Sequence, residues 1–238
     1  MHWSAIHFEH TVKSMNSTLS SPTVSAVLQR MSLAESGNDA EAMASAGTAT
    51  SVSYPIDITA AERAELFKDV YMSVSSDGGR LLYLLARATG ATTVVEYGTS
   101  FGVSTIHLAS AVRDNGGGLV IATELQADKA AAAQRNFADA GVDDLIDLRV
   151  GDALTTLKEV PDAVDLVLLD GWPELALPVL RLVEPHLRPG ALIVVDDVDL
   201  DFGSDVHGAL LGYLADSANG YLSIKLPIGD GLQACVRL

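Results

Sequence analysis

The chain is poor in cysteine, in basic residues and in long apolar runs. Its 238 residues include one cysteine, Cys235, so an intrachain disulfide is excluded. No apolar run approaches the roughly 20 residues that a membrane-spanning helix needs. The N-terminus also lacks the apolar region of a signal peptide. We therefore expect a cytoplasmic protein with no membrane partner.

Basic residues are outnumbered by acidic ones. The 15 lysines and arginines face 31 aspartates and glutamates, which gives a formal net charge of −16. A surface this acidic repels phosphate backbones, so we expect no nucleic-acid partner. Apolar residues make up 48% of the chain, enough for a substantial core. These properties favour a globular protein that acts on a small molecule.

The chain divides by composition into an extension and a main domain. Residues 1–55 are rich in Ser, Ala and Thr and predict an N-terminal extension, partly flexible, with one short helix from Ser21 and Pro22. The stretch from Glu35 to Ser53 has little periodicity and predicts a linker. The apolar part of this extension offers a surface for a homodimer. Residues 56–238 predict the main domain.

The main domain alternates between strand and helix patterns. Thr59 and Glu62 have the spacing of a capping box at a helix start. Five β-rich runs then alternate with helical stretches, and a turn at 227–231 separates two final strands that predict an antiparallel hairpin. The runs are Thr93–Tyr97, Leu119–Glu124, Ile146–Val150, Val164–Asp170, Ala191–Asp196, Tyr221–Leu226 and Leu232–Leu238. We expect a doubly wound, mostly parallel, seven-stranded α/β sheet of the Rossmann-like kind.

A glycine-rich turn follows the first predicted strand. Gly98 and Gly102 allow close backbone approach to a ligand, and the next helix points its free amides at that ligand. Glu124 ends the second strand, where an acid can accept two ribose hydroxyls, and Asp152 follows the third. The Gly-x-x-x-Gly spacing and the acid Glu96 suit cationic S-adenosylmethionine better than NAD. An NAD-dependent oxidoreductase stays open as an alternative.

The segment Val94–Ser104 resembles the first motif of class I methyltransferases. More narrowly, residues 70–238 are similar to the catechol-type, metal-dependent O-methyltransferases. The resemblance implies S-adenosylmethionine as cofactor and a hydroxylated, phenolic or catechol-like small molecule as acceptor. It implies cofactor contacts from Met72, Val74, Glu96, Gly98, Ser100, Gly102, Ser104, Glu124, Asp152, Ala153, Asp170 and Trp172.

The same resemblance implies a metal site at two strand ends. Asp170, Asp196 and Asp197 align with the family's three protein ligands, the third of which is usually Asn. Oxygen ligands suit Mg²⁺, and also Ca²⁺ or Mn²⁺. We expect Asp170 and Asp197 to be catalytic as well, because the ion would favour the ionised acceptor hydroxyl.

Two departures from the family pattern bear on the chemistry. Pro173 stands where the family has its catalytic lysine, and Gln233 stands where an acid holds the second catechol hydroxyl. Two further alternatives therefore stay open beside the metal-assisted O-methyltransferase. One is a metal-independent small-molecule methyltransferase, and the other is a cofactor-binding homologue with lost or altered catalysis.

Overall fold

A seven-stranded sheet organises the chain, with helices on both of its faces. A computed structural model describes residues 17–45, 58–200, 202 and 205–238. The strands are β1 (Thr93–Tyr97), β2 (Leu119–Glu124), β3 (Ile146–Val150), β4 (Val164–Leu169), β5 (Leu187–Val195), β6 (Tyr221–Leu226) and β7 (Leu232–Arg237). The helices are α1 (Pro22–Ser45), α2 (Ala60–Leu66), α3 (Ser76–Thr89), α4 (Val103–Asp114), α5 (Ala127–Ala140), α6 (Ala153–Thr156), α7 (Pro173–Val183) and α8 (Gly208–Ala215).

The strand order is β3-β2-β1-β4-β5-β7-β6. Strands β1 to β5 pair in parallel, whereas β7 pairs antiparallel with both β5 and β6. The predicted seven-stranded, doubly wound sheet with a final hairpin is therefore confirmed. Because the order reverses between β1 and β4, the crevice beyond their carboxyl ends is where such a sheet binds ligands.

The sheet is covered on both faces, which explains its apolar central strands. Every residue of β4 is buried. One core cluster joins the sheet to α1, α3, α4 and α5, and includes Leu82, Ile106 and Phe137. A second cluster joins it to α6, α7 and α8, and includes Leu157 and Val179. A strand buried on both faces has no polar alternation, as the runs in β4 and β5 predicted.

The N-terminal helix corrects the sequence prediction. We expected a short helix and then a linker from Glu35, but α1 is one helix of 24 residues that continues to Ser45. Only Val24, Val27 and Met31 are buried in it, so its apolar periodicity is weak. Contacts with α5 stabilise it instead, and Arg30 pairs with Asp139 there at 2.8 Å. The rest of the predicted linker lies outside the described residues.

Smaller differences concern element ends. The predicted capping box is present, but α2 ends at Leu66 and leaves an irregular segment before α3. Strand β5 begins at Leu187 rather than 191, and α8 was not predicted. Within the described ranges, no helix combines the length and apolar character needed to cross a membrane.

Candidate active site

A cavity of about 330 Å³ opens at the carboxyl ends of the parallel strands. It lies at the crevice between β1 and β4, where the doubly wound topology predicts a ligand site. Most predicted site residues are in its wall: Met72, Gly98, Ser100, Glu124, Asp152, Ala153, Asp170, Trp172 and Asp197. Val74 and Ser104 line a smaller adjoining pocket that shares Met72 and Gly98 with the cavity.

Both glycines of the turn occupy positions that a side chain would strain. Gly98 has φ +92°, and a Cβ there would lie 2.3 Å from the carbonyl oxygen of Asp170. Gly102 has φ +93°, and a Cβ there would lie 2.3 Å from the ring of Phe137. Gly98 therefore lets the β1 turn approach the end of β4, while Gly102 lets α4 pack on α5. Gly102 lines neither pocket, so its predicted cofactor contact stays a prediction.

Glu96 lies behind the turn and not in the cavity wall. Its buried carboxylate accepts hydrogen bonds from the hydroxyls of Thr99 at 3.0 Å, Ser104 at 2.6 Å and Thr105. Burial raises the pKa of Glu96 to about 7, although the three hydroxyl donors oppose that shift. In this structure the carboxylate orders the turn and the start of α4. Its predicted direct contact with the cofactor stays a prediction.

Glu124 joins the turn to the start of α5. One carboxylate oxygen accepts the backbone N–H of Ser100 at 2.7 Å, and the other accepts that of Gln126 at 2.8 Å. Asp152 similarly caps α6 by accepting the N–H of Leu154 at 2.9 Å. Both acids also line the cavity. Their oxygens have further lone pairs, so each can accept a hydroxyl or amino group of a bound nucleoside.

Three aspartates meet at the ends of β4 and β5. Asp170 is half-buried in the cavity wall, and its partial removal from water and the neighbouring charges of Asp196 and Asp197 raise its pKa well above the usual range. Burial, followed by the charge of Asp196, raises the pKa of Asp197 to about 7. Burial also raises the pKa of Asp196 to about 6. The structure thus brings the three predicted metal ligands close enough to repel one another.

The charge and the oxygen ligands of these aspartates suit a divalent cation, but their spatial arrangement does not form a three-ligand site. Hard carboxylate oxygens suit Mg²⁺, and mutual repulsion is what a cation would relieve. Within the described part of the chain, however, no group of three His, Cys, Asp or Glu side chains is arranged to hold a metal ion. The described side chains thus supply the negative charge for a cation but no preformed three-ligand site.

The two departures from the family pattern are both visible. Pro173 lines the cavity, at the start of α7, where it has no proton to exchange. Gln233 does not line the cavity but lies on β7 opposite Val195. The acid of this hairpin that acts electrostatically on Asp196 and Asp197 is Asp230. The sequence alone could not separate Asp230 from Gln233, because the two lie only three residues apart in the same hairpin.

The sequence analysis did not identify several residues that line the cavity. Helix α2 contributes Ala60, Ala61 and Ala64, and aromatic rings come from Phe67 and Phe202. Alanines on a short helix carry no signal for a site, and Phe202 belongs to no helix or strand. The buried Arg63 completes this wall from behind. Its guanidinium pairs with Glu174 at 2.9 Å and lies 4.7 Å from the ring centroid of Trp172.

Lys129 was also missed. It is the one basic side chain among the lining residues that the structure describes. Its ammonium donates to the Ser100 hydroxyl at 3.2 Å and lies 5.4 Å from the ring centroid of Phe101. Burial lowers the pKa of Lys129, and the charge of Glu124 opposes that shift. The lysine follows Glu124 by five residues on α5, a spacing that predicts no particular role.

Comparison with known proteins agrees with this geometry. The model of a methyltransferase domain family matches residues 95–198. An inferred O-methyltransferase of Mycolicibacterium smegmatis is 32% identical over 176 residues, which cover 67% of this chain and 80% of that protein. The chain belongs to the class I S-adenosylmethionine-dependent O-methyltransferases.

Two other proteins with O-methyltransferase names are similar to this chain over a large part of its length. The catechol O-methyltransferase of Mycobacterium tuberculosis is 37% identical over 142 residues, which cover 59% of this chain and 62% of that enzyme. The O-methyltransferase TomG of Streptomyces achromogenes, solved in complex with S-adenosylmethionine, superposes with a TM-score of 0.62 at 28% identity. That superposition covers 75% of this chain and 87% of TomG.

Gly98→Ala should both destabilise the protein and close the cofactor site. The new Cβ meets backbone atoms at a positive φ, so we expect a loss of about 2 kcal/mol or more in the free energy of unfolding. Gly37→Ala is the matched control, because a Cβ added there would meet nothing within 4 Å. That change in α1 should stabilise by about 0.5–1 kcal/mol. Equal effects of the two changes in urea denaturation would contradict this explanation of the turn.

Glu96→Gln should alter how stability depends on pH. The native pKa of Glu96 is raised from 4.5 to about 7, so between these values the folded state keeps a proton that the unfolded chain releases. The contribution of Glu96 to wild-type stability therefore falls as pH rises from 5 to 7. Glutamine does not ionise, so the variant should lose less stability over this interval. The free energies of unfolding of both proteins at pH 5 and pH 8 measure this, and an unchanged fall would refute the assignment.

Proposed function

We propose that this protein transfers a methyl group from S-adenosylmethionine to a hydroxyl group of an uncharged aromatic small molecule. The observation that carries this proposal is the distribution of side chains around the cavity wall. Glu124 and Asp152 lie on the side of β2 and β3, while Trp172, Phe202 and Asp197 lie on the side of β4 and β5. One continuous cavity thus offers a nucleoside site and an aromatic site with an acid beside it.

The acceptor class follows from the chemistry of the second side. Phe67 lies 6.1 Å from Trp172, ring centroid to ring centroid, and both line the cavity. Flat aromatic molecules pack well against the exposed faces and edges of such rings. Among the described residues that line this side, the charged groups are Asp170 and Asp197, so an acceptor carboxylate would meet like charge. A neutral phenol or catechol suits these walls.

The chain's own residues hold the cofactor, orient the acceptor and accept a proton in this reaction. S-adenosylmethionine, when bound, supplies a methyl group already activated by its sulfonium. The glycine-rich turn and Glu124 hold the nucleoside, and the aromatic rings orient the acceptor. Asp197 takes the proton from the acceptor hydroxyl, since its pKa of about 7 suits a general base at neutral pH. Pro173 cannot take that role.

In a finer form of the proposal, Asp170, Asp196 and Asp197 hold a divalent cation, and Asp197 is then a ligand of that cation and not the general base. Their close negative charges support it, and a bound cation would lower the pKa of an acceptor hydroxyl. Mg²⁺ is the preferred ion for these ligands, with Ca²⁺ and Mn²⁺ as alternatives.

Calorimetric titration with S-adenosylmethionine and turnover of catechol test the function together. Asp197→Asn should bind the cofactor within about threefold of wild type but lose about 100-fold or more in kcat, the usual contribution of a general base. Asp77→Asn, an exposed aspartate on α3, should leave both unchanged. Absence of cofactor binding in the wild type would refute the proposal, and binding of NADH instead would favour the oxidoreductase. Binding without turnover on a phenolic panel would favour the homologue with lost catalysis.

EDTA separates the metal from the methyl transfer. If the three aspartates hold a cation, EDTA should abolish turnover and added Mg²⁺ should restore it. Turnover that survives EDTA would remove the cation from the proposal and leave a metal-independent methyltransferase.

The acceptor's charge is tested with a matched pair of substrates. Catechol and 3,4-dihydroxybenzoate differ by one carboxylate, which would face the acids of the cavity. We expect kcat/KM for catechol to exceed that for the benzoate by about tenfold or more, as expected for a carboxylate brought near like charge. Equal values would show that acceptor charge is not sensed.

A further inference from the structure

The segment Tyr71–Ser73, which we call the strap, contributes Met72 to the wall of the cofactor cavity. It lies between α2 and α3 and has no regular secondary structure. Met72 lines both the main cavity and the adjoining pocket. Its φ is +49°, a left-handed conformation that non-glycine residues rarely adopt. Such a conformation persists only where the surroundings hold it.

Two carboxylates of α1 hold the backbone on either side of Met72. Asp39 accepts the N–H of Tyr71 with both oxygens at 3.1 Å, and Glu35 accepts the N–H of Ser73 at 3.2 Å. The two acids are four residues apart, so they lie on one face of the helix. Each is half-buried, whereas Glu41 on the same helix is exposed.

The strap is tied to the glycine-rich turn from its other side. The Ser100 hydroxyl donates to the carbonyl oxygen of Tyr71 at 2.6 Å, and the Tyr71 ring stacks on Phe101 with 4.2 Å between centroids. Ser100 in turn donates its N–H to Glu124. A continuous set of contacts therefore runs from α1 through the strap to the wall of the cofactor cavity.

We propose that Glu35 and Asp39 are positioning residues for the cofactor. They act through the strap backbone, fixing Met72 over the cavity before the cofactor arrives. This inference rests on the proposed function only in naming the ligand. It gives α1 a role that its weak apolar pattern did not indicate. Glu35 and Asp39 lie on α1, so the N-terminal extension positions the strap.

The test compares removal of the acceptor oxygens with their retention. Glu35→Ala/Asp39→Ala leaves two strap amides without their carboxylate partners, whereas Glu35→Gln/Asp39→Asn keeps an acceptor oxygen at each position. We expect the alanine pair to weaken S-adenosylhomocysteine binding by about tenfold or more, measured by calorimetry on the full chain. The Gln/Asn pair should recover most of that loss. Glu41→Ala should bind as the wild type does.

Kinetics and hydrogen exchange distinguish positioning from general stability. In the alanine pair, KM for S-adenosylmethionine should rise while kcat at saturation stays within about twofold of wild type. The amides of Tyr71 and Ser73 should exchange faster in that variant and not in Glu41→Ala. A lower melting temperature with an unchanged Kd would overturn the proposal.

Two outcomes keep this inference separate from the function itself. Wild-type protein that binds no S-adenosylhomocysteine would refute the proposed function. Wild-type protein that binds it, with an alanine pair that binds equally well, would refute the role of Glu35 and Asp39 alone. If the alanine pair does not fold, wild-type exchange decides, because unprotected amides at Tyr71 and Ser73 would overturn the proposal.

Discussion

The close approach of the β1 turn to the end of β4 is the contact on which the site depends. Gly98 permits it, because any side chain there would collide with the backbone of Asp170. The same turn is ordered from behind by the buried Glu96 and its three hydroxyl donors. It is ordered from the side by Glu124, which accepts the amide of Ser100. The close approach of these two neighbouring strand ends thus brings together the proposed nucleoside side and the proposed acceptor side of the cavity.

Buried negative charge is the second constraint, and it links stability to chemistry. Asp170, Asp196 and Asp197 all have raised pKa values, because they are removed from water and lie near one another. Such groups oppose folding when ionised, and their grouping at the cavity supports the functional role proposed for them. A carboxyl with a pKa of about 7 can exchange a proton at neutral pH. A cationic cofactor would also be favoured beside these charges.

Much of the fold and part of the site could be predicted from the sequence. The parallel strands were predictable because β4 and β5 each contain a continuous apolar run, at residues 166–169 and 191–195. Gly98, Glu124 and Asp152 were found because each lies at or just after a strand end. The extent of α1 was not predictable, since contacts with α5 and the strap stabilise it rather than its own periodicity. Lys129 and Phe202 were missed because only tertiary packing brings them to the cavity. Glu96 was found, but its hydroxyl partners were not, because their geometry depends on how α4 starts.

A crystal structure of the protein with S-adenosylhomocysteine would test the assigned cofactor site most directly. We expect the ribose hydroxyls on the Glu124 carboxylate, the adenine between Asp152 and Trp172, and the sulfur directed towards Asp170 and Asp197. Nucleoside density elsewhere, or a sulfur atom directed away from these two aspartates, would contradict the assignment.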